Sequence, residues 1–166
     1  MEIRQLNSND TGAYFSIRLE GLKNNPEAFA STYEEEKSQS ADKYKTRFEK
    51  AQNSFTYGAY EGSEIVGVIT LVREQLIKLR HRANIVAMYV KPEKRGNGIG
   101  KALMERVIEK ARSLSGIEQL YLMVVTENQS ARKLYQSMGF EVYGIERKAL
   151  KYGDTYYDEE QMVLFL

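Results

Sequence analysis

The sequence predicts an α/β fold: a mixed central β-sheet with helices on both faces, in the order β-α-α-β-β-β-α-β-α-β-β. Three stretches carry that prediction. Phe55–Val72 holds two β-rich runs around a glycine-bearing turn, the pattern of a hairpin. Asn84–Ser115 passes from a β-branched and aromatic segment, through clustered glycines, into an amphipathic run. Gln119–Val125 is almost wholly apolar, as in a strand covered on both faces. The 166 residues are expected to form one domain over 1–166, burying about two-thirds of the unfolded surface.

Taken in order, Glu2–Leu6 alternates and reads as a first strand. Asn9 or Asp10 is placed to cap a helix carrying Tyr14, Ile17 and Leu22, which stops near Asn24-Asn25-Pro26. The polar stretch Thr32–Ala41 reads as a mobile connection, and a second helix runs from Ala41 or Asp42 to Ala51. The hairpin strands Phe55–Tyr60 and Ile65–Val72 flank Glu61-Gly62-Ser63-Glu64. Gln75–Arg82 is basic and irregular, a loop before the strand Asn84–Val90, which Pro92 ends. Beyond it, Ile99, Leu103, Val107, Ala111 and Leu114 recur at spacings of three and four, one stripe of a helix running to Ser115. After Gln119–Val125, Asn128–Met138 reads as a short helix closed by Gly139, with Phe140 packing back on it. Phe140–Ala149 and Tyr156–Leu166 form a last hairpin around Lys151-Tyr152-Gly153-Asp154.

Composition narrows the chemistry. Lys+Arg 24 against Asp+Glu 23 gives a net charge of +1, so no global field points to nucleic acid or an anionic membrane. The chain has no cysteine, which removes disulfides, thiol nucleophiles and Cys-based metal sites. One histidine, His81, makes neither a His-based metal site nor a Ser-His-Asp triad, and no metal is expected. There is no apolar leader at Met1-Glu2-Ile3-Arg4 and no run long enough for a membrane span, so the reading is a cytoplasmic protein.

The glycine turn has a chemical use. The first N–H groups of a helix lack intrahelical partners, and the macrodipole adds roughly half a positive charge there. Gly96, Gly98 and Gly100 let an anion approach that backbone closely, and Arg95 adds a planar donor fork suited to phosphate oxygens. A pyrophosphate site follows as the hypothesis, beside the plainer reading of a tight turn. A P-loop would need Lys-Ser/Thr after the last glycine, where Lys101-Ala102 stands. A dinucleotide fingerprint would need G-x-G-x-x-G, whereas Gly96-Asn97-Gly98-Ile99-Gly100 is G-x-G-x-G.

Arg95-Gly96-Asn97-Gly98-Ile99-Gly100, preceded by Met88-Tyr89-Val90, fits the signature Q/R-x-x-G-x-G/A. It resembles the GNAT superfamily, the Gcn5-related N-acetyltransferases that use acetyl-coenzyme A. The resemblance implies that the amides from Arg95 to Lys101 hold the pyrophosphate and that the Met88–Val90 backbone pairs with the pantetheine arm. It implies the predicted order of elements too, so pattern and motif agree over nearly the whole chain.

A second constellation, Asn128, Ala131, Leu134, Tyr135, Gly139 and Phe140, reads N-x-x-A-x-x-L-Y-x-x-x-G-F. Cofactors bind in crevices outside the carboxyl ends of diverging parallel strands. Asn128 opens a helix at such a place, and Tyr135, about two turns on, faces the same side. From spacing alone, a plain N-cap is the readier reading of Asn128 and a core residue that of Tyr135. The resemblance implies coenzyme binding by both, and makes Tyr135 the acid that protonates the leaving thiolate. It also puts the Met88 N–H on the acetyl carbonyl, worth ~3 kcal/mol for one good donor.

Several relatives carry a glutamate base about four residues before the position of Met88, where this chain has Asn84. A water relay, Glu118, Glu141 or another carboxylate would then serve. The acceptor pocket of the superfamily lies among the first helices, their connection and the last strands. Arg18, Phe29, Tyr33 and Arg73 are the substrate-binding residues expected here, with Tyr60 and Tyr156 nearby. Glu34-Glu35-Glu36 either draws a cationic amine or is a solvated face.

The function expected is acetyl transfer, directly and in a ternary complex, to an amine of a small molecule or a peptide N-terminus. Phe165 and the tail strand are expected at the edge of a homodimer. Two rivals are a silent coenzyme A sensor and a nucleic-acid or acidic-partner module built on Lys78-Leu79-Arg80-His81-Arg82.

Overall fold

The computed structural model describes all residues, 1–166. Seven strands form one sheet in the spatial order β1-β2-β3-β4-β5-β7-β6. They are β1 (Glu2–Gln5), β2 (Ser54–Glu61), β3 (Glu64–Arg73), β4 (Arg82–Val90), β5 (Gln119–Val125), β6 (Glu141–Tyr152) and β7 (Thr155–Phe165). The helices are α1 (Thr11–Asn24), α2 (Tyr33–Lys37), α3 (Asp42–Lys50), α4 (Ile99–Ser113) and α5 (Gln129–Ser137). No helix is long and apolar enough to cross a membrane.

The β2–β3 hairpin turns on Gly62-Ser63, and Gly62 takes φ +59, which a side chain would resist. Both faces of these central strands are buried. On one face, Leu103, Met104, Val107 and Ala111 of α4 pack, fully buried, against Val66, Ile69 and Leu71 of β3 and Leu120 and Leu122 of β5. On the other, Tyr14 and Ile17 of α1 and Tyr44 and Phe48 of α3 cover Val68 and Tyr89. Tyr14 stands edge-on to Tyr44 at 4.8 Å and to Phe48 at 5.3 Å between ring centroids.

Four local expectations change. Thr32–Ala41 is a connection that contains α2: Thr32 caps it, and the Glu35 carboxylate returns to the Thr32 N–H at 2.9 Å. Glu36 belongs to no solvated face, being buried against the Tyr44 hydroxyl and Lys43. Asp10 holds the N-cap position of α1 but makes no cap bond there: Asn7 caps the short 3-10 turn Ser8–Asp10 before it, and Asp10 accepts a two-pronged contact from Arg4 at 2.7 and 2.8 Å and a bond from the Tyr60 hydroxyl at 3.0 Å. That fork holds the Asp10 carboxyl down at about 2. β5 is covered fully on one face, where Leu120, Leu122 and Val124 are buried, and only in part on the other, where Val125 is buried but Met123 is 58% exposed.

The tail strand also differs. β7 lies inside the sheet between β5 and β6, so β6 and not the strand ending at Phe165 forms the edge. Phe165 is exposed, but no open ladder runs along its strand.

β4 and β5 are parallel neighbours for only three pairs, Arg82↔Gln119, Ala83↔Leu120 and Asn84↔Tyr121. Further along, Ala87 takes φ +54, and the β3–β4 register shifts between Val68 and Thr70. Ala87 and Met88 thus stand opposite the single residue Ile69. This is a bulge, which bends and twists β4. Beyond it β4 and β5 part, and the crevice between them positions the site.

Candidate functional site

The crevice is a cleft of about 550 Å³. Met88, Tyr89 and Val90 of β4 form one side, Val125 and α5 the other, and the turn into α4 the floor. Asn25, Glu27, Ala28 and Phe29, from the turn after α1, close over it.

The α4 end of the cleft is a row of donors. Gly96 and Gly98 take φ +80 and +77, left-handed conformations that glycine adopts without penalty. They curl the chain so that successive amides point the same way, a nest. The first helical bond of this turn runs from the Ala102 N–H to the Gly98 carbonyl. No N–H from Gly96 to Lys101 donates to an acceptor in the chain. A Cβ at Gly96 or Gly98 would meet nothing within 4 Å, so space lies in front of the donors. At Gly100 a Cβ would press on the Met88 methyl at 3.2 Å and on Leu134 at 3.3 Å, so this glycine lets α4 approach α5 and β4.

Arg95 is more committed than its sequence position suggests. Its Nε donates to the Val90 carbonyl at 2.9 Å and its Nη2 to Asn25 Oδ1 at 2.8 Å. It fastens the α1 end to β4, and only part of its fork is left for an anion. Asn97 points its amide back to the Lys94 carbonyl at 3.2 Å and lines no part of the cleft. Lys101 is exposed and pairs loosely with Glu105 at 3.8 Å.

At the far end, Asn128 caps α5, its carboxamide oxygen accepting from the Ala131 N–H at 3.2 Å. Its NH2 group is left as a donor. Tyr135 is both a core residue and a cleft residue. It is 8% exposed, its ring lies 6.2 Å from that of Phe140, and its hydroxyl donates to Met88 Sδ at 3.4 Å. Burial pushes the Tyr135 hydroxyl up to about 12, so it is a protonated donor at neutral pH. Tyr89 also lines the cleft, with its hydroxyl donating to Glu20 at 3.0 Å.

A second cavity of about 350 Å³ adjoins the first, and Glu27 and Phe29 line both. It is walled by Lys23, Tyr33 and Glu34 on the α1–α2 side and by Leu150, Lys151, Tyr152 and Tyr157 of the last hairpin.

All the predicted coenzyme residues except Asn97 line the first cleft. Of the predicted substrate residues, Phe29 lines both cavities and Tyr33 the second, while Arg18 lies over the Phe29 ring at 4.9 Å. Arg73 is not brought there. It pairs with Ala83 at the start of β4, and its guanidinium donates to the Ser115 carbonyl at 3.1 Å, at the other end of the sheet. Tyr60 is likewise absent, held by Asp10.

The base candidates also fall away from the cleft. Asn84 donates to Glu74 at 2.8 Å beside the last β4–β5 pair. Glu118 precedes β5 at its opposite end, and Glu141 pairs with Val163, level with Tyr121. Within the basic loop, Arg82 stacks on the Tyr121 ring at 4.0 Å as β4 begins. Sequence reasoning missed Asn25, Glu27, Lys94 and Val125, residues that only the tertiary fold brings to the cleft.

Known proteins share this fold. An acetyltransferase of the GNAT family from Streptococcus pneumoniae superposes with a TM-score of 0.89 at 23% identity, over 99% of this chain and 98% of that one. The putative acetyltransferase yncA from Salmonella typhimurium, solved with acetyl-CoA, gives 0.87 at 21% identity, over 100% of this chain and 94% of that one. Among curated proteins, the L-amino acid N-acetyltransferase AaaT of Escherichia coli is 31% identical over 98 residues, covering 57% of this chain and 60% of its own length. The spermidine N(1)-acetyltransferase of Vibrio cholerae is 25% identical over 100 residues, 60% of this chain and 56% of its own. These alignments span between half and two-thirds of the curated relatives. Residues 22–140, which include the cleft's glycine turn, α5 and Phe140, match the model of the Acetyltransferase (GNAT) family, and the chain belongs to that family.

Proposed function

We propose that the chain is an acetyl-CoA-dependent N-acetyltransferase that acts on a primary amine of a small molecule or a peptide N-terminus. One observation carries the reading. A row of N–H groups from Gly96 to Lys101, without acceptors, opens on a cleft that runs between β4 and β5 to the buried Tyr135 hydroxyl. These donors fit a pyrophosphate at a helix N-terminus. Asn25, Lys94 and Lys101 border the same end, and Asn128 and the β4 backbone border the path inward. Bound there, acetyl-CoA supplies the activated acyl group.

The chain's own groups then divide the work. Met88 lies on the bulge, where the ladder is interrupted, and its N–H is the donor assigned to the acetyl carbonyl. Tyr135 gives its hydroxyl proton to the departing thiolate, and the burial that raises its own pKa favours a neutral thiol as well. Phe29 and Tyr33 form the apolar wall of the acceptor cavity. With no cysteine available, direct attack by the amine in a ternary complex is the route. The relatives named for amino acids and for spermidine support an amine acceptor, and the walls, carrying both Lys23 and Glu34, suit either a zwitterion or a peptide end.

The test is thiol release from acetyl-CoA against a panel of a polyamine, several amino acids and short peptides. Turnover with one class supports the enzyme and names its acceptor. Tight coenzyme A binding without turnover across the panel would instead support a sensor.

A further inference from the structure

With Asn84, Glu118 and Glu141 away from the cleft, the acceptor's proton needs another destination. The sheet register supplies one. Counting forward from the last β4–β5 pair, Asn84↔Tyr121, Met88 falls level with Val125, give or take the one residue of the bulge. Val125 in turn pairs with Glu159 across the β5–β7 ladder. Directly paired side chains share a face, with Cβ atoms about 5 Å apart. Val125 lines the coenzyme cleft, and Tyr157, two residues from Glu159 on the same face of β7, lines the second cavity. Glu159 therefore lies between Val125, which lines the first cavity, and Tyr157, which lines the second.

We propose that Glu159 is the general base that takes the proton of the acceptor ammonium, directly or across one water, at the level of the Met88 amide. This rests on the acetyltransferase reading above. The Glu159 carboxylate takes one proton from the ammonium and frees the nitrogen lone pair. The C–N bond forms as the C–S bond breaks. The nitrogen's second proton leaves to solvent, the thiolate takes the Tyr135 proton, solvent restores Tyr135, and Glu159 returns its proton to solvent. Ammonium and thioester thus give amide, thiol and one net proton.

The surroundings suit a base. Glu159 is half-buried, and Glu146 on β6 pairs with it directly. β5 presents the uncharged Val125, the turn after α1 brings Glu27, and Tyr157 is the neighbour on β7. Burial first, and the Glu146 charge second, raise the Glu159 carboxyl above the ordinary glutamate range, nearer to the working pH of a base.

The experiment compares wild type with Glu159→Gln, using the best amine of the panel and hydroxylamine, which is largely neutral at neutral pH and needs no base. Calorimetric binding of acetyl-CoA is measured in both proteins. The expected result is retained acetyl-CoA binding, a loss in kcat/KM of about 100-fold with the amine, and a loss under about 10-fold with hydroxylamine. Glu146→Gln lowers the Glu159 pKa and so moves the acidic limb of the amine profile to lower pH. Equal rates for wild type and Glu159→Gln, or equal losses with both nucleophiles, overturn the assignment of the base alone. A wild type that binds no acetyl-CoA overturns the acetyltransferase reading with it.

Discussion

Replacing Tyr135 by Phe separates chemistry from stability at a buried position. The hydroxyl has one partner, the Met88 thioether at 3.4 Å, and sulfur is a weak acceptor. Its removal deletes a poor hydrogen bond and a desolvated polar group together, while the ring keeps its place beside Phe140. The expected change in unfolding free energy is within about 0.5 kcal/mol. Catalysis should fall much further. Loss of a positioned general acid costs on the order of 100-fold in kcat, about 2.7 kcal/mol of barrier. Because the hydroxyl is pushed up to about 12, it stays protonated through the usual assay range and contributes no basic limb there. The assay is steady-state thiol release with urea unfolding run on the same preparations. A kcat within about threefold of wild type, or a loss matched by a collapse in stability, would refute the assignment.

Two further predictions concern the scaffold. Asp10, depressed to about 2 by Arg4, contributes stability that is fully present above the unfolded carboxylate pKa and is lost as pH falls through about 2. The partly exposed Arg4 limits this to about 1–2 kcal/mol, seen as a fall in Tm between pH 5 and 2 in wild type that is much reduced in Asp10→Asn. Gly21→Ala raises helix propensity in α1, yet its Cβ would meet the Tyr89 ring at 3.0–3.1 Å. The expected net effect is destabilisation by about 1 kcal/mol with weaker acetyl-CoA binding, since Tyr89 lines the cleft; a more stable variant would contradict it.

What the sequence made legible followed its local chemistry. Gly62 and Gly153 marked hairpin turns, the stripe from Ile99 to Ala111 marked α4, and the spacing of Asn128 and Tyr135 placed both on one wall of the cleft. Non-local features escaped it. Glu36 reads as solvent-facing in an acidic run, and only its packing on Tyr44 of α3 buries it. Arg73 and Glu141 had plausible chemistry, but strand register sends them to the wrong end of the sheet. The same register puts Glu159 beside Val125 of the cleft, a position no motif marks. The bulge at Ala87, a non-glycine residue at φ +54, has no sequence signature of its own, yet it opens the crevice.

On the proposed function, the α4 amides hold the coenzyme's pyrophosphate. The direct test is calorimetric titration of acetyl-CoA into wild type and Gly98→Glu. A Cβ at Gly98 meets no atom within 4 Å, so the variant bears backbone strain at φ +77 of about 1–2 kcal/mol and should still fold. Its carboxylate, however, projects bulk and negative charge into the space in front of the donors. Micromolar binding by wild type and none by the folded variant is the predicted result. Equal binding by both would place the coenzyme elsewhere and contradict the account.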